Sequence, residues 1–227
     1  MEKPLLHLVN LHKAYYTPAG EFWALRGISL TLQAGCLVGI FGKSGAGKTT
    51  LINCISGVDR VSAGEVWVDG VAVHSLGESA LARWRGLSVG VVYQNFQLLP
   101  HLTLLENVML PMDFCGRFHP RRSPQRALEL LRMVEMEEHA HKLPAAISGG
   151  QQQRAAIARA LANDPPLILA DEPTGRLDSV TAETVIQAFE RLVQQGKTIV
   201  MVTHDRSLAP RCGQVLTIVD GQLVEKQ

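Results

Sequence analysis

A glycine-rich loop between a buried strand and a helix constrains this chain more than any other feature. Residues 42–49 read Gly-Lys-Ser-Gly-Ala-Gly-Lys-Thr, after the apolar run Cys36–Phe41 and at the start of a helix predicted over Lys48–Ser56. In that context the pattern predicts backbone N–H groups that surround phosphate oxygens at the positive end of the helix. Lys48 is expected to reach the β- and γ-phosphates, and the Thr49 hydroxyl to complete a Mg²⁺ shell. A turn without a ligand is the disfavoured alternative, because the pattern is rare by chance.

A second candidate element is an acidic pair at the end of a buried strand. Leu167–Ala170 leads into Asp171 and Glu172, and the carboxyl end of a strand in a doubly wound sheet opens onto the ligand crevice. Because adjacent strand residues point to opposite sides, we assign Asp171 to the metal and Glu172 to the attacking water. Without the phosphate loop, two solvated acids at the start of a loop would be the better interpretation.

A third element opens a helix in the second half of the chain. Ser148-Gly149-Gly150-Gln151 has the form of a capping box, which accounts for the serine and the glutamine. Capping does not account for two glycines in the first turn, which cost about 1 kcal/mol each relative to alanine. Glycines do allow a phosphate to approach bare backbone, so this element predicts a second anion site.

The rest of the pattern predicts an α/β chain with two additions. Asp69-Gly70 and Asp220-Gly221 indicate antiparallel hairpins beside the parallel strands. Helical spacing in the middle third indicates a helical lobe, with its segments separated by prolines. The predicted strands are 5–11, 22–25, 28–32, 36–41, 89–92, 167–170 and 197–202. The predicted helices are 48–56, 104–109, 125–136, 151–162 and 181–195. The separating prolines are Pro100, Pro111, Pro120, Pro124 and Pro144.

Composition and charge exclude several classes of protein. The 227 residues carry 22 Lys and Arg against 21 Asp and Glu, which disfavours a dedicated nucleic-acid binder. No apolar stretch approaches the ~18–20 residues that cross a bilayer, and the amino-terminal residues lack the pattern of a secretory signal. The four cysteines form no CxxC pair, so we expect reduced thiols in a cytosolic protein.

Taken together, these motifs resemble those of the ABC ATPases. Walker A lies at Gly42–Thr49, Walker B at Leu167–Glu172 and the signature at Ile147–Gln151. Four shorter matches extend the likeness over essentially the whole chain: Gln94 to the Q-loop, Gly175–Asp178 to the D-loop, Thr203–Asp205 to the H-switch, and Tyr15 to the adenine-stacking aromatic, for which Tyr16 is the competitor.

The sequence departs from the family pattern at two positions. Ile147 stands where leucine is usual, a mild apolar change. Arg176 stands in the D-loop where a small residue or asparagine is common. If the resemblance holds, this cation lies near the two-fold interface and alters rate or coupling.

The resemblance implies a fold and a site. The implied fold is α/β, a P-loop NTPase of the RecA-like type with a parallel sheet, an antiparallel β subdomain and an inserted helical lobe. Within one domain over 1–227, residues 1–93 and 163–227 form the core and 94–162 the lobe. The implied nucleotide-binding residues are Tyr15, Gly42, Lys43, Ser44, Gly45, Ala46, Gly47, Lys48, Thr49, Thr50, Ser148, Gly149, Gly150 and Gln151.

The same resemblance implies a mechanism. Two copies pair head to tail as a homodimer, and the Walker A loop of one copy and the Ser148 element of the other enclose each ATP. Mg²⁺ would be held through Thr49, Asp171 and Gln94. The implied catalytic residues are Lys48, Gln94, Glu172 and His204. Among these, Glu172 polarises water and His204 positions the γ-phosphate.

The residues that flank these motifs are similar to those of subunits in the lipoprotein-release, macrolide-export, haem-efflux and cell-division groups. This implies a peripheral protein at the cytoplasmic face of the membrane, a polytopic permease as partner and no nucleic acid. An apolar groove for a partner helix is expected at Phe96, Leu98, Leu99, Leu102 and Leu104, with lobe core as the equal alternative.

Three rival functions stay open at this point: a soluble ABC-type ATPase acting on nucleic acid or ribosomes, a P-loop kinase or GTPase-like switch, and a nucleotide-binding scaffold without turnover. The first usually carries a long coiled-coil insertion or two fused ATPase domains, and this sequence has neither. The Ser148 element and His204 disfavour the second. Glu172 and His204 disfavour the third.

Overall fold

The computed structural model describes residues 3–18 and 20–224, and the described chain forms ten strands and six α-helices. The strands are β1 (Leu6–Thr17), β2 (Gly20–Leu32), β3 (Leu37–Phe41), β4 (Ala63–Val68), β5 (Val71–Ala72), β6 (Val89–Val92), β7 (Leu167–Asp171), β8 (Thr198–Thr203), β9 (Gln214–Val219) and β10 (Gln222–Val224). The helices are α1 (Lys48–Ser56), α2 (Glu78–Ser88), α3 (Leu104–Phe114), α4 (Arg122–Met133), α5 (Gly149–Ala160) and α6 (Ser179–Gln194).

A six-stranded sheet in the order β10-β9-β3-β8-β7-β6 forms the centre of the fold. Its strands are parallel except β10, which closes an antiparallel hairpin with β9. Every residue of β3, β7 and β8 is buried, as expected for strands covered on both faces. The β3-β8-β7 order brings the ends of three neighbouring strands to one edge, and that edge carries the site.

A four-stranded antiparallel sheet, β2-β1-β4-β5, lies beside the central one. The hairpin predicted at Asp69-Gly70 is present, with both residues at positive φ. The two short strands predicted over 22–25 and 28–32 are one strand, β2, which continues through Gly27 at φ 71°. Its pairing with β1 shifts register there. The prediction of two strands was therefore wrong, because a bulge at the glycine lets the same strand continue to pair with β1 on both sides of it.

Helices α3, α4 and α5 pack together in the middle third of the chain. Two of the prolines predicted to separate helices lie inside them. Pro111 is within α3, where Val108 and Met112 on either side are buried, and this packing outweighs the one lost backbone bond. Pro124 is the third residue of α4, a position whose N–H has no partner within a helix.

Alternate residues of the central strands supply two apolar cores, one on each face of the sheet. Val200 and Val202 of β8 face the core that includes α1 and the antiparallel sheet. Ile199 and Met201 face the core that includes α3–α6. Within residues 3–18 and 20–224, no helix is long and apolar enough to cross a membrane.

Candidate active site

The phosphate loop connects β3 to α1 in a tightly packed turn. Gly47 occupies the cap position of α1 at φ 102°, so no side chain covers the N–H groups at the helix start. A Cβ on Gly47 would lie 2.6 Å from the Ala24 carbonyl oxygen, and one on Gly42 would lie 2.6 Å from that of Ile218. Glycine is therefore needed here for two reasons. A side chain would clash with neighbouring backbone, and the N–H groups of the loop must stay uncovered.

Lys48 is held at three points by the protein itself. Its side chain is 7% exposed, and its ammonium donates to the carbonyls of Gly42 at 2.9 Å and Lys43 at 3.1 Å. It also forms an ion pair with Glu172 Oε1 at 3.2 Å. The cation is thus oriented across the loop, toward the acidic pair.

Asp171 ends β7 and is 6% exposed. Burial raises the pKa of its carboxyl, while a hydrogen bond with Thr49 acts in the opposite direction. Its Oδ1 has no hydrogen-bond partner among the residues that the structure describes. A buried carboxylate oxygen without a partner, beside a hydroxyl, suits a hard divalent cation such as Mg²⁺, so the residues present fit the predicted metal.

Glu172 lies beyond the strand, at φ 46° in the left-handed region. The predicted alternation of side chains along a strand therefore does not apply to Glu172, and both acids line the same cleft. Thr203 Oγ donates to Glu172 Oε2 at 3.0 Å, and His204 Nδ1 lies 2.9 Å from the same oxygen. Burial alone would raise the pKa of Glu172, but hydrogen bonds from His204, Thr203 and Lys48 together lower it, which keeps the carboxylate ionised at neutral pH.

A cleft of about 690 Å³ collects most of the predicted residues. Its lining residues are Tyr15, Phe22, Ala24, Lys43, Ser44, Gly45, Gly47, Lys48, Thr49, Thr50, Gln94, Asp171, Glu172 and His204. Gly42 and Ala46 line an adjoining cavity of about 600 Å³, which Lys43, Ser44, Gly45 and His204 share. Tyr16 lines neither described cavity and is 82% exposed, so the geometry favours Tyr15 for a base contact.

Phe22 and Ala24 line the cleft and were missed by sequence reasoning. Phe22 pairs with Tyr15 across β1 and β2 and is 55% exposed, so two aromatic rings flank the cleft. Thr203 bonds to Glu172 from the end of β8. Phe22 begins the predicted strand 22–25, but Tyr15 lies beyond the predicted strand 5–11, so the sequence carried no signal for their pairing. Thr203 was matched to the H-switch together with His204, but its bond to Glu172 was not predicted.

The Ser148 element lies apart from this cleft. Ser148 Oγ accepts from the Gln151 N–H at 3.3 Å, and Gln151 Oε1 accepts from the Ser148 N–H at 2.9 Å, which is the predicted capping box. Residues 148–151 are all described, and they line neither cavity. A Cβ on Gly150 would lie 2.3 Å from Thr181 Cγ2, whereas one on Gly149 would make ordinary contacts with Phe96. Packing against α6 therefore explains Gly150, and open backbone remains at Gly149.

The segment after Gln94 is partly core and partly surface. Phe96 and Gln97 have positive φ, and their carbonyls accept from Arg159 of α5. Leu99 is 46% exposed, but Leu104 is fully buried at the start of α3. Leu104 therefore belongs to the core of the lobe, which is the alternative to an apolar groove that the sequence had left open for it.

A comparison with protein-family models identifies the chain. The model of the family described as "ABC transporter" matches residues 25–175. The chain belongs to this family. As an ABC ATPase it binds ATP and hydrolyses it, and the resemblance inferred from the motifs is confirmed.

Individual relatives agree with this family assignment. The ABC chain is 42% identical over 227 residues to the uncharacterized ABC transporter ATP-binding protein MJ0796 of Methanocaldococcus jannaschii, covering 98% of this chain and 97% of the relative. It is 37% identical over 226 residues to the lipoprotein-releasing system ATP-binding protein LolD of Hyphomonas neptunium, covering 99% of each. It is 43% identical over 219 residues to the macrolide export ATP-binding/permease protein MacB of Syntrophobacter fumaroxidans, covering 96% of this chain but 31% of that longer protein.

A solved structure confirms the predicted fold class. The dimeric structure of a post-hydrolysis state of MJ0796, bound to ADP and Pi, matches this ABC ATPase with a TM-score of 0.91 at 41% identity. The match covers 98% of this chain and 97% of that chain.

Proposed function

We propose that this ABC chain powers a membrane transporter through ATP-driven, head-to-tail pairing of two copies. The observation that carries the proposal is the position of the Ser148 element. Ser148 and Gly149 are exposed at the capped start of α5, yet residues 148–151 line neither described cavity of their own chain. A helix start attracts anions, so a second copy can offer its Ser148 element to the γ-phosphate bound in the cleft of the first.

ATP then stabilises the paired state. A bound γ-phosphate contacts the phosphate loop of one copy and the Ser148 element of the other, and only the closed pair makes both sets of contacts. A ligand shifts an equilibrium by its difference in affinity for the two states. Hydrolysis removes the second set of contacts, so the pair opens.

Within the cleft, Lys48 changes partners when nucleotide binds. Its ion pair with Glu172 is exchanged for β- and γ-phosphate oxygens, which releases Glu172 toward water. Thr49, Asp171 and Gln94 would hold Mg²⁺, which neutralises negative charge on the phosphates when bound. The unpartnered Asp171 Oδ1 supports this ligand set.

Glu172 and His204 act on the attacking water and the γ-phosphate. The lowered pKa of Glu172 favours the carboxylate that polarises water. His204 is 62% exposed and bonded to Glu172 through Nδ1, which leaves its Nε2 edge available to position the γ-phosphate. The two residues thus form one unit at the end of β7 and β8.

A polytopic permease is the partner in this proposal, and the direction of transport is export or the transmission of mechanical work. The names of the LolD and MacB relatives support this class. Residues 94–162 would act as a lobe that moves against a core of 1–93 and 163–227, at the cytoplasmic face of the membrane. The exposed Leu99, close after Gln94, belongs to the part of the lobe that would meet the permease.

The test uses a variant that binds ATP and turns it over slowly. Glu172→Gln is expected to lower ATP hydrolysis by about 10²–10⁴-fold, the usual contribution of a general base, and to accumulate with Mg-ATP at twice the chain mass of 24.8 kDa. Light scattering after gel filtration gives the mass, and Glu129→Gln, at an exposed position of α4, is the control. Adding Ser148→Arg should restore the monomer.

Two outcomes contradict the proposal. Near-normal hydrolysis by Glu172→Gln overturns the assignment of Glu172. A dimer that survives Ser148→Arg overturns pairing through the signature element. Co-purification of tagged Glu172→Gln from membranes with Mg-ATP tests the partner: a stoichiometric polytopic protein supports the permease, whereas ribosomal or nucleic-acid partners alone rule it out.

A further inference from the structure

The hydroxyl group of Tyr15 is anchored by Asp59, and Thr50 of α1 lies beside it. It donates to Asp59 Oδ2 at 2.6 Å, and the same oxygen lies 3.4 Å from Asn53 Nδ2. Burial and the bond to Asp59 raise the pKa of Tyr15 to about 12, so the hydroxyl remains a donor throughout the physiological range. Asp59 is described and half-buried but does not line the cleft, so its contact with the site runs through Tyr15.

Asp59 is itself fixed by the helix that begins at the phosphate loop. Its N–H donates to the Asn53 carbonyl at 3.1 Å, just after Gly57 ends α1 at φ 68°. Helix α1 carries Lys48 and Thr49 at its first turn and Asn53 near its last. One rigid element therefore sets the distance between the phosphate-binding residues and the carboxylate that holds Tyr15.

One face of the Tyr15 ring is already covered. Lys13 Nζ lies 4.8 Å from the ring centroid and donates to the Arg60 carbonyl at 2.8 Å, a cation–π contact. Lys13 is described but is not among the residues lining the cleft, so we place it on the face of the ring that is turned away from the cleft. The hydroxyl and one face are occupied, and the face toward the cleft is left for a flat ligand.

We propose that Asp59 is a positioning residue for nucleotide binding, which holds the Tyr15 ring at a fixed place so that a purine base meets a preformed stacking surface. The proposal rests on the base-stacking role proposed for Tyr15. A side chain that is already ordered loses less conformational freedom when its ligand binds. Without Asp59, the Tyr15 side chain must become ordered when the base binds, which weakens the affinity for the base. The affinity for phosphate is unchanged.

The test compares ADP with inorganic pyrophosphate, because both carry a diphosphate and only ADP carries a base. Dissociation constants are measured by calorimetry for wild type, Asp59→Ala, Asp59→Asn, Tyr15→Phe and Tyr15→Ala. Asp59→Ala is expected to weaken ADP binding about 3- to 10-fold and to leave pyrophosphate binding unchanged. Asp59→Asn keeps an acceptor and should return ADP binding to within about twofold of wild type.

Tyr15→Phe keeps the ring, loses the hydroxyl, and should weaken ADP binding as much as Asp59→Ala does. Combining Tyr15→Phe with Asp59→Ala should cause no further loss of ADP affinity, because both changes remove the same hydrogen bond between Tyr15 and Asp59. Unchanged pyrophosphate binding also shows that each variant is folded around its phosphate loop.

The other outcomes separate the two proposals. If Tyr15→Ala weakens ADP binding but Asp59→Ala does not, Tyr15 stacks the base and Asp59 does not position it. If Tyr15→Ala leaves ADP binding unchanged, the stacking role itself is overturned. Equal losses for ADP and pyrophosphate in Asp59→Ala, or failure of Asp59→Asn to restore binding, would also overturn a positioning role through the hydroxyl.

Discussion

At the scale of single residues, Thr203 connects groups that the motifs treat separately. It ends β8, is 1% exposed, donates to Glu172 Oε2 and accepts from the Asp205 N–H at 3.1 Å. One hydroxyl thereby holds the proposed water-polarising carboxylate and starts the turn that carries His204. Its loss should affect both the chemistry and the turn.

Thr203→Val keeps the shape of the side chain but removes the hydroxyl. Glu172 then loses one of its donors and the Asp205 N–H loses its acceptor, which should cost about 1–3 kcal/mol of folding free energy. ATP hydrolysis should fall about tenfold, because the carboxylate is less well oriented. Steady-state hydrolysis and urea denaturation measure the two effects.

Thr203→Ser is the matched control, since it retains the hydroxyl and should stay close to wild type in both measurements. A Val variant with unchanged turnover would mean that Lys48 and His204 orient Glu172 without Thr203.

Sequence reasoning located the residues whose spacing is local. Lys48 and Thr49 follow from eight consecutive residues, and Asp171 from the end of a buried strand. The place of Phe22 in the cleft and the bond from Thr203 to Glu172 depend instead on how the strands pair. Phe22 faces the cleft because of its register opposite Tyr15, beyond three irregularities in the β1–β2 ladder, and no local pattern fixes that register.

At the scale of elements, the contact between α5 and α6 gives one signature glycine a packing role. Sequence reasoning assigned Gly149 and Gly150 together to a bound phosphate. The structure separates them, because the methyl group of Thr181 occupies the space that a Gly150 side chain would need. Thr181 is in turn fixed by hydrogen bonds to Asp178, the cap of α6.

Gly150→Ala is therefore expected to destabilise the chain by about 1–3 kcal/mol, the usual cost of overpacking. Thr181→Ser removes the methyl group and keeps the hydroxyl, so the double variant should recover part of this loss. Thermal denaturation of the four proteins measures the coupling. Additive effects of the two changes would show that Gly150 is required by something other than Thr181.

Element boundaries were predictable where local signals agree with packing. The predicted bounds of the helix over 48–56 match those of α1, since a buried strand and a glycine cap mark its ends. The helix predicted over 104–109 continues to Phe114 as α3, through Pro111. Tertiary contacts of Val108 and Met112 stabilise α3 beyond Pro111, and local sequence patterns do not reveal such contacts.

At the scale of the whole molecule, carboxylates bonded in the native state make stability depend on pH. Hydrogen bonds from Arg211 lower the pKa of Glu183 and Glu190, those from Thr103 lower that of Glu106, and those from Ser207 lower that of Asp205. The native state therefore binds protons less readily than the unfolded chain. Asp171 acts in the opposite sense, because burial raises its pKa.

The stabilisation from the lowered groups is complete above the ordinary values of 4.5 for Glu and 3.8 for Asp. It is lost as the pH falls through the lower native values, so the free energy of unfolding should decline from pH 6 toward pH 3. Urea denaturation at several pH values measures this decline. Arg211→Gln should make it shallower, and a profile that stays flat to pH 3 would contradict it.

The strand order also dictates when, during synthesis, a nucleotide site can exist. Strand β3 carries the phosphate loop, yet both its neighbours, β8 and β9, come from residues 198–219. The Gly35 N–H donates to the hydroxyl of Thr198, 163 positions later. A nascent chain displaying its phosphate loop outside the ribosome still lacks the strands on either side of it. ATP can therefore stabilise this fold only after β8 and β9 have been made, and until then the apolar β3 depends on other means of protection.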